Sequence, residues 1–90
     1  MASENATAIP PVEVVLSETI ASLAFAAHAY LSPQEADPSA TPDLEAASAA
    51  LDVAGVAFER IEPRLPAGER SAMARLLTDL RLTYVKKRGL

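Results

Sequence analysis

The run over residues 20–31, IASLAFAAHAYL, is apolar except at Ser22 and His28, and it constrains the fold more than any other stretch. Such a run either crosses a membrane or forms a helix that needs apolar partners. A bilayer crossing takes roughly twenty residues, whereas this run has twelve and is preceded by Glu18. A signal peptide needs a basic start, and the first basic residue here is Arg60. We therefore expect a helix, and neither a signal peptide nor a membrane anchor.

Size and composition favour one small helical domain. Ninety residues form at most one domain, and a domain of this size buries only about 60% of the surface of its unfolded chain. Half of the residues are apolar and tryptophan is absent, so Leu, Val, Ile and Ala must supply the core. Alanine has the highest helix propensity. The absence of cysteine excludes disulfides and thiolate metal sites and is typical of a cytoplasmic protein.

Proline-containing segments divide the chain into three predicted helices. These lie at about 12–31, 42–62 and 67–87. They form a single helical domain over 12–88, between a flexible N-terminal lead at 1–11 and a C-terminal end at 89–90. Three helices joined by short turns predict an all-α fold, a small three-helix antiparallel bundle in which a helical hairpin packs on a long apolar first helix. We expect oligomerisation to complete this bundle.

Local signals place the ends and the core-facing sides of the second and third helices. Thr41 is positioned to cap the second helix with Pro42 at its first position, and Gly89 can end the third in a left-handed conformation. Apolar residues recur at spacings of three and four, which indicates a helical seam toward the core. The seam residues are Leu44, Ala47, Leu51, Ala54, Phe58, Ile61 and Leu65, then Met73, Leu77, Leu80 and Tyr84.

The first helix is apolar on two opposite sides. The side expected to face the other helices carries Val12, Leu16, Ile20, Leu23, Ala27, Tyr30 and Leu31. The opposite side carries Val14, Glu18, Ala21, Phe25 and Ala29. A helix that is apolar most of the way round is normally buried on both sides, and two neighbouring helices cannot cover both. We hypothesise that the second side is a protein interface, most simply of a symmetric homodimer; the alternative is an alanine-rich face that is merely exposed.

Charge is divided unevenly along the chain. Residues 1–63 carry a formal charge of −9, and residues 64–90 carry +5. We expect the basic segment to fold back on the acidic one or on that of a neighbouring chain. An alternative function is weak phosphate or nucleic-acid binding by a basic patch on the third helix, Arg75, Arg81, Lys86, Lys87 and Arg88. The acidic majority repels phosphate at long range, so we expect neither nucleic acid nor membrane as the main partner.

No group of residues predicts catalytic chemistry. His28 is the only histidine, and neither Glu18 nor Glu35 has the three- or four-residue spacing that shares a helix face with it. The acids of the second helix are seven residues apart, about 10 Å per step, which is too far for a carboxylate pair or one metal ion. They are Glu45, Asp52 and Glu59. We expect a non-enzymatic chain without catalytic residues, metal or other cofactor, or small-molecule ligand, whose partner is itself or another protein.

Three segments resemble a small bacterial family. They are SLA at 22–24, DLEAASAALD at 43–52 and LLTDLRLTYV at 76–85. Their order and spacing over residues 12–87 are similar to those of the domain-of-unknown-function family DUF1844. Its last helix tends to have a Leu-Leu pair, an acidic residue, Leu-Arg and an aromatic-valine ending. The matching residues are Leu76, Leu77, Asp79, Leu80, Arg81, Tyr84 and Val85.

The last helix also departs from that family's pattern. Thr78 stands where an aromatic residue is common, and Thr83 where a second basic residue is common. These departures concern the surface of the helix and not the expectation of a helix. The resemblance implies a cytoplasmic, all-helical protein without an established activity, and it brings no catalytic residues.

Overall fold

The computed structural model describes residues 9–89 of the chain. Within that range there are three α-helices and no strand: α1 is Val12–Leu31, α2 is Leu44–Ile61 and α3 is Ala67–Gly89. The predicted all-α fold is confirmed, whereas its completion by oligomerisation stays a prediction. Most of the expected N-terminal lead at 1–11 lies outside the described residues, as does residue 90 of the expected C-terminal end.

The start of α2 is two residues later than expected, and its cap is Asp43. The Asp43 carboxylate accepts a hydrogen bond from the backbone N–H of Ala46, with an N···O distance of 3.0 Å. The backbone N–H of Asp43 donates to the Tyr30 carbonyl at 2.9 Å, which joins the start of α2 to the end of α1. The predicted Thr41 cap and helical Pro42 are therefore wrong, because Asp43 satisfies the first N–H groups of α2 and is itself anchored on α1.

Twelve apolar residues are buried, and they form two clusters along the bundle. The first joins the C-terminal ends of α1 and α3 to the start of α2, through Ala24, Ala27, Leu31, Ala47, Ala50, Leu51 and Leu80. The second joins the other end of the bundle, through Ile20, Ala54, Ile61, Leu65 and Leu77. Consecutive helices are thus antiparallel, and α1 and α3 run in the same direction.

The burial pattern corrects two details of the sequence prediction. Within α1, Val12 and Tyr30 are exposed, because the buried line runs through Ala24 and the residues one turn either side of it. Gly89 is the last residue of α3 and does not have a positive φ, so the predicted left-handed stop is wrong. The seams of α2 and α3 do face the core, with Leu44, Phe58, Met73 and Tyr84 partly buried.

Replacing Asp43 should destabilise the protein, because it removes the cap of α2. We expect Asp43→Ala to lower the free energy of unfolding by about 1 kcal/mol, measured by urea denaturation. Thr41→Ala is the matched control and should change it by less than about 0.5 kcal/mol, as is usual for surface sites. The opposite ranking of the two variants would contradict the assignment of the cap.

Gly55 lies in the interior of α2 and faces a side chain of α3. A Cβ atom added at Gly55 would overlap the guanidinium of Arg81 and meet nothing else within 4 Å. Since the overlap is with the end of a flexible and exposed side chain, the position does not require glycine for backbone packing. Glycine in a helix interior is unfavourable by about 0.8–1 kcal/mol relative to alanine.

Gly55→Ala should therefore stabilise the protein by up to about 1 kcal/mol, with the Arg81 side chain turning toward solvent. Urea denaturation measures the change. Gly68→Ala, in the first turn of α3 with nothing within 4 Å of the added Cβ, reports the effect of the substitution without a displaced neighbour. A clear destabilisation by Gly55→Ala alone would mean that Arg81 is held rigidly over α2.

Candidate protein interface

The predicted interface residues of α1 lie together on one exposed side of the helix. We call Val14, Glu18, Ala21, Phe25 and Ala29 the outer face of α1. All five are exposed, with Phe25 at 77% and Val14 at 44% of their full surface. Helical periodicity places them in one stripe, directed away from the buried line through Ala24 and Ala27. The outer face is thus an apolar surface with one charge, that of Glu18.

The apolar surface continues from α1 onto α3. A shallow groove between the two helices is lined by Ser17, Ile20, Ala21, Glu69, Ala72, Met73 and Leu76. Leu76 is 44% exposed and Ala72 is also exposed. Because Ala21 belongs to both the groove and the outer face of α1, the groove links that face to α3.

The side of α3 that borders the groove combines apolar and basic residues. Arg75, Asp79, Leu82 and Lys86 are all exposed and follow one another at spacings of three or four, so they share one side of the helix. Their phase places them next to Ala72, which lines the groove. We call these four residues the outer face of α3. It carries a net charge of +1, opposite in sign to the outer face of α1.

Sequence reasoning located the α1 part of this surface and missed the α3 part. The period of each helix gives the sides of that helix, but not how α1 and α3 are rotated relative to each other. Ala72 and Leu76 become part of one surface with Ala21 only through that rotation. The excess apolar residues of α3 outside its seam were the available signal.

A second cleft lies between the C-terminal end of α1 and the connection that follows. Phe25, His28 and Ala29 contribute to it from α1. His28 Nε2 lies 3.0 Å from Glu35 Oε1, because the 3-10 turn Pro33–Glu35 folds back toward α1. The sequence argument that separated His28 from Glu35 assumed helical spacing between them, and it is wrong for this pair. Both side chains are more than half exposed, so their contact contributes little stability.

The basic residues of α3 do not share one side of the helix. Arg81 extends over Gly55 of α2, and Arg88 stacks on Tyr84, with its guanidinium carbon 5.6 Å from the ring centroid. Arg81 therefore lies on the side of α3 that faces α2, and Arg88 packs against its own helix. A guanidinium over an aromatic ring is attracted by the ring's negative face, which favours a local structural role for Arg88.

The remaining basic residues are directed elsewhere. Arg75 and Lys86 are eleven residues apart and belong to the outer face of α3. At 100° per residue they lie about 120–140° around the helix from Arg81. Lys87, the fifth residue of the predicted basic patch, is partly buried. The geometry therefore separates the five residues of the predicted basic patch into groups of one or two.

Within residues 9–89 no side-chain cluster is suited to metal binding. No three His, Asp or Glu residues lie close enough to hold a metal ion there. No polar or charged residue of that range is buried. The acids of α2, Glu45, Asp52 and Glu59, are exposed. The described surface therefore offers apolar and charged contacts and not a dry, enclosed site.

One ion pair joins the described parts of the acidic and basic segments. Arg64 Nη1 donates a hydrogen bond to Glu13 Oε1 at 3.2 Å, which fixes the start of α1 beside the connection between α2 and α3. The pKa of Glu13 lies below its usual value, first because the backbone N–H of Glu13 itself donates to the carboxylate and second because Arg64 does. The ionised Glu13 carboxylate therefore stabilises the folded chain at any pH above the pKa that Glu13 has in the unfolded chain. This stabilisation is lost as the pH falls through the lower pKa that Glu13 has in the folded chain.

Arg64→Gln should raise the pKa of Glu13 but leave it below the usual value, because the backbone hydrogen bond remains. The side-chain carboxyl resonance of Glu13, followed by NMR through acidic pH, measures this change. Arg60→Gln, an equally exposed arginine on α2, should leave the pKa unchanged. An unaltered Glu13 titration in Arg64→Gln would contradict the ion pair.

The length and composition of α1 alone are sufficient for a membrane crossing. The uninterrupted apolar run has only twelve residues, whereas the whole 20-residue helix meets the criterion. This is weak evidence, because core helices of soluble proteins and signal sequences meet it as well. The 18-residue window of α1 that meets this criterion is 22% buried against the rest of the chain. Most of this apolar helix therefore remains uncovered.

No family model, curated protein or solved structure matches this chain. The resemblance to DUF1844 is therefore neither supported nor contradicted, and it stays a prediction.

Proposed function

We propose that this chain is a non-enzymatic helical interaction module that acts by association, as a homo-oligomer or as a small accessory subunit. The outer face of α1 is the surface through which it associates. The observation that carries this proposal is the exposure of Phe25, at 77% of its surface, in the middle of that face.

The continuity of the exposed apolar surface supports an interface. Single exposed apolar residues are normal on soluble proteins, whereas contiguous patches mark binding surfaces. Here Val14 and Phe25 of α1 are continuous, through Ala21 and the groove, with Leu76 of α3. Such a surface loses contact with water when a partner covers it, and this is the main favourable term in protein association.

A binding role accounts for the described side chains better than catalysis does. Catalytic acids and bases depend on burial or close partners that shift their pKa values toward the task. The lowered pKa values found here belong to Glu13 and Asp37, whose carboxylates are hydrogen-bonded to neighbouring donors at the surface. We therefore propose a chain that uses no catalytic residues and no cofactor. We also propose a cytoplasmic location, in keeping with the lack of cysteine.

Phosphate binding by α3 is the weaker of the two candidate functions. Arg81 and Arg88 lie away from Arg75 and Lys86, so no more than two basic side chains can approach one phosphate group together. Strong phosphate sites combine several converging donors. The net charge of the whole chain, −4, also opposes binding to nucleic acid.

Phe25→Glu tests the proposed interface. We expect the wild-type chain to sediment as an oligomer and Phe25→Glu as a monomer, because a carboxylate at the centre of the interface would lose its hydration. Its melting temperature should fall and no longer depend on protein concentration.

Val56→Glu is the matched control. Val56 is 61% exposed on α2, so this variant adds the same charge away from the outer face and should keep the wild-type mass. Circular dichroism establishes that both variants remain helical. A Phe25→Glu protein with the mass and melting temperature of the wild type would contradict the proposal.

A further inference from the structure

We propose that the partner of this surface is a second copy of the chain, and that α1 of each copy packs on α3 of the other. The two-fold axis then runs parallel to the helices, along the groove between α1 and α3. This inference rests on the proposed function and names its partner and arrangement. Two arguments carry it: an estimate of the area that the two helices offer, and the opposite charges of their outer faces.

An interface large enough for a stable dimer requires the outer faces of both helices. The 20 residues of α1 span about 30 Å, so a helix face about 10 Å wide offers about 300 Å² per chain. Two such faces bury about 600 Å² in total, which is the size of a crystal-packing contact, whereas specific interfaces bury about 1,200 Å² or more. Adding the outer face of α3 doubles the estimate to about 1,200 Å². A dimer through α1 alone is therefore too small, and one through both helices reaches the required range.

The charges favour unlike helices facing each other. Glu18 gives the outer face of α1 one negative charge, while Arg75, Lys86 and Asp79 give that of α3 a net positive charge. Glu69, which lines the groove nearer the N-terminal end of α3, adds a negative charge beside the axis. Glu18 and Arg75 are exposed, and neither forms an ion pair with another residue between 9 and 89. Charge complementarity of this kind sets the orientation and the specificity of an interface.

The helix register places Glu18 and Arg75 within reach across the dimer. Ala21 and Leu76 line the same groove, so a residue of α1 lies at the height of the α3 residue about 55 positions later. Rotation about an axis parallel to the helices preserves this height. Glu18 then faces a position about two residues from Arg75 of the second copy, or roughly 3 Å along the axis. An arginine side chain spans that offset readily.

The other symmetric arrangement brings like charges together. If the axis were perpendicular to the helices, α1 would face α1 and α3 would face α3, each pair antiparallel. Centred at the height of Ala21 and Leu76, that arrangement places Arg75 about two residues, or roughly 3 Å, from Arg75 of the second copy along the axis, and Glu18 about one residue from Phe25. Like charges in contact and an ionised group on an aromatic ring both oppose binding.

A membrane surface is a poorer occupant of the same face. The charged groups on α1 in the described range are Glu13 and Glu18, together with the titratable His28. Cytoplasmic leaflets are anionic and attract basic segments, so an acidic helix is repelled. Of the three basic residues in the last turn of α3, only Lys86 lies on the outer face of that helix.

A charge exchange tests the arrangement, with the dimer dissociation constant measured by sedimentation equilibrium of the full chain. Glu18→Arg and Arg75→Glu should each weaken the dimer about tenfold, because each places like charges together. The double variant restores opposite charges and should return to within about threefold of the wild type. Asp52→Arg and Arg60→Glu change the net charge equally on exposed sites of α2 and should leave the constant unchanged.

The outcomes separate this inference from the proposed function. A dimer that is lost in Phe25→Glu but not recovered in the double charge variant supports the interface and overturns the arrangement of α1 on α3. A wild-type chain that remains monomeric at every concentration overturns the second copy as partner. Equal weakening by Glu18→Arg and Asp52→Arg would trace the effect to net charge and would also overturn the pairing.

Discussion

The packing of α1 on α2 through alanines determines how much of α1 the chain can cover. Ala24 and Ala27 of α1 meet Ala47, Ala50 and Ala54 of α2 in the core. Small side chains let helices approach closely, but each buries little apolar area. With alanine at five of the twelve buried positions, the core is narrow, and α3 can shelter only one further side of α1. The exposed outer face of α1 follows directly from this limit.

The charge distribution and the apolar surface fit one explanation. Apolar area supplies the free energy of association, while the charges around it select the partner and its orientation. In the proposed dimer Glu18 of α1 meets Arg75 on the outer face of α3, so the surface is complementary to itself under a two-fold rotation. Within one chain, the described range holds a single ion pair between the acidic and basic segments, that of Glu13 with Arg64.

Periodicity and helix breakers were enough to predict the fold class, the bounds of α1 and the seams of α2 and α3. They failed where a contact between elements decides the outcome. Asp43 caps α2 because Tyr30 of α1 anchors it, and Glu35 reaches His28 because a 3-10 turn interrupts the helical spacing. The exposed apolar face of α1 could be predicted from a single helix. The place of Ala72 and Leu76 beside it could not, because it depends on how two helices are rotated against each other.

The most direct test of the central claim is a search for contacts between chains around Phe25. An isotope-filtered NOE experiment on a mixture of labelled and unlabelled protein detects only pairs of protons on different chains. The proposed dimer should give NOEs from the Phe25 ring of one chain to the Leu82 or Leu76 methyl groups of another. A spectrum without such NOEs, from a sample whose rotational diffusion corresponds to a single 9.5 kDa chain, would contradict it.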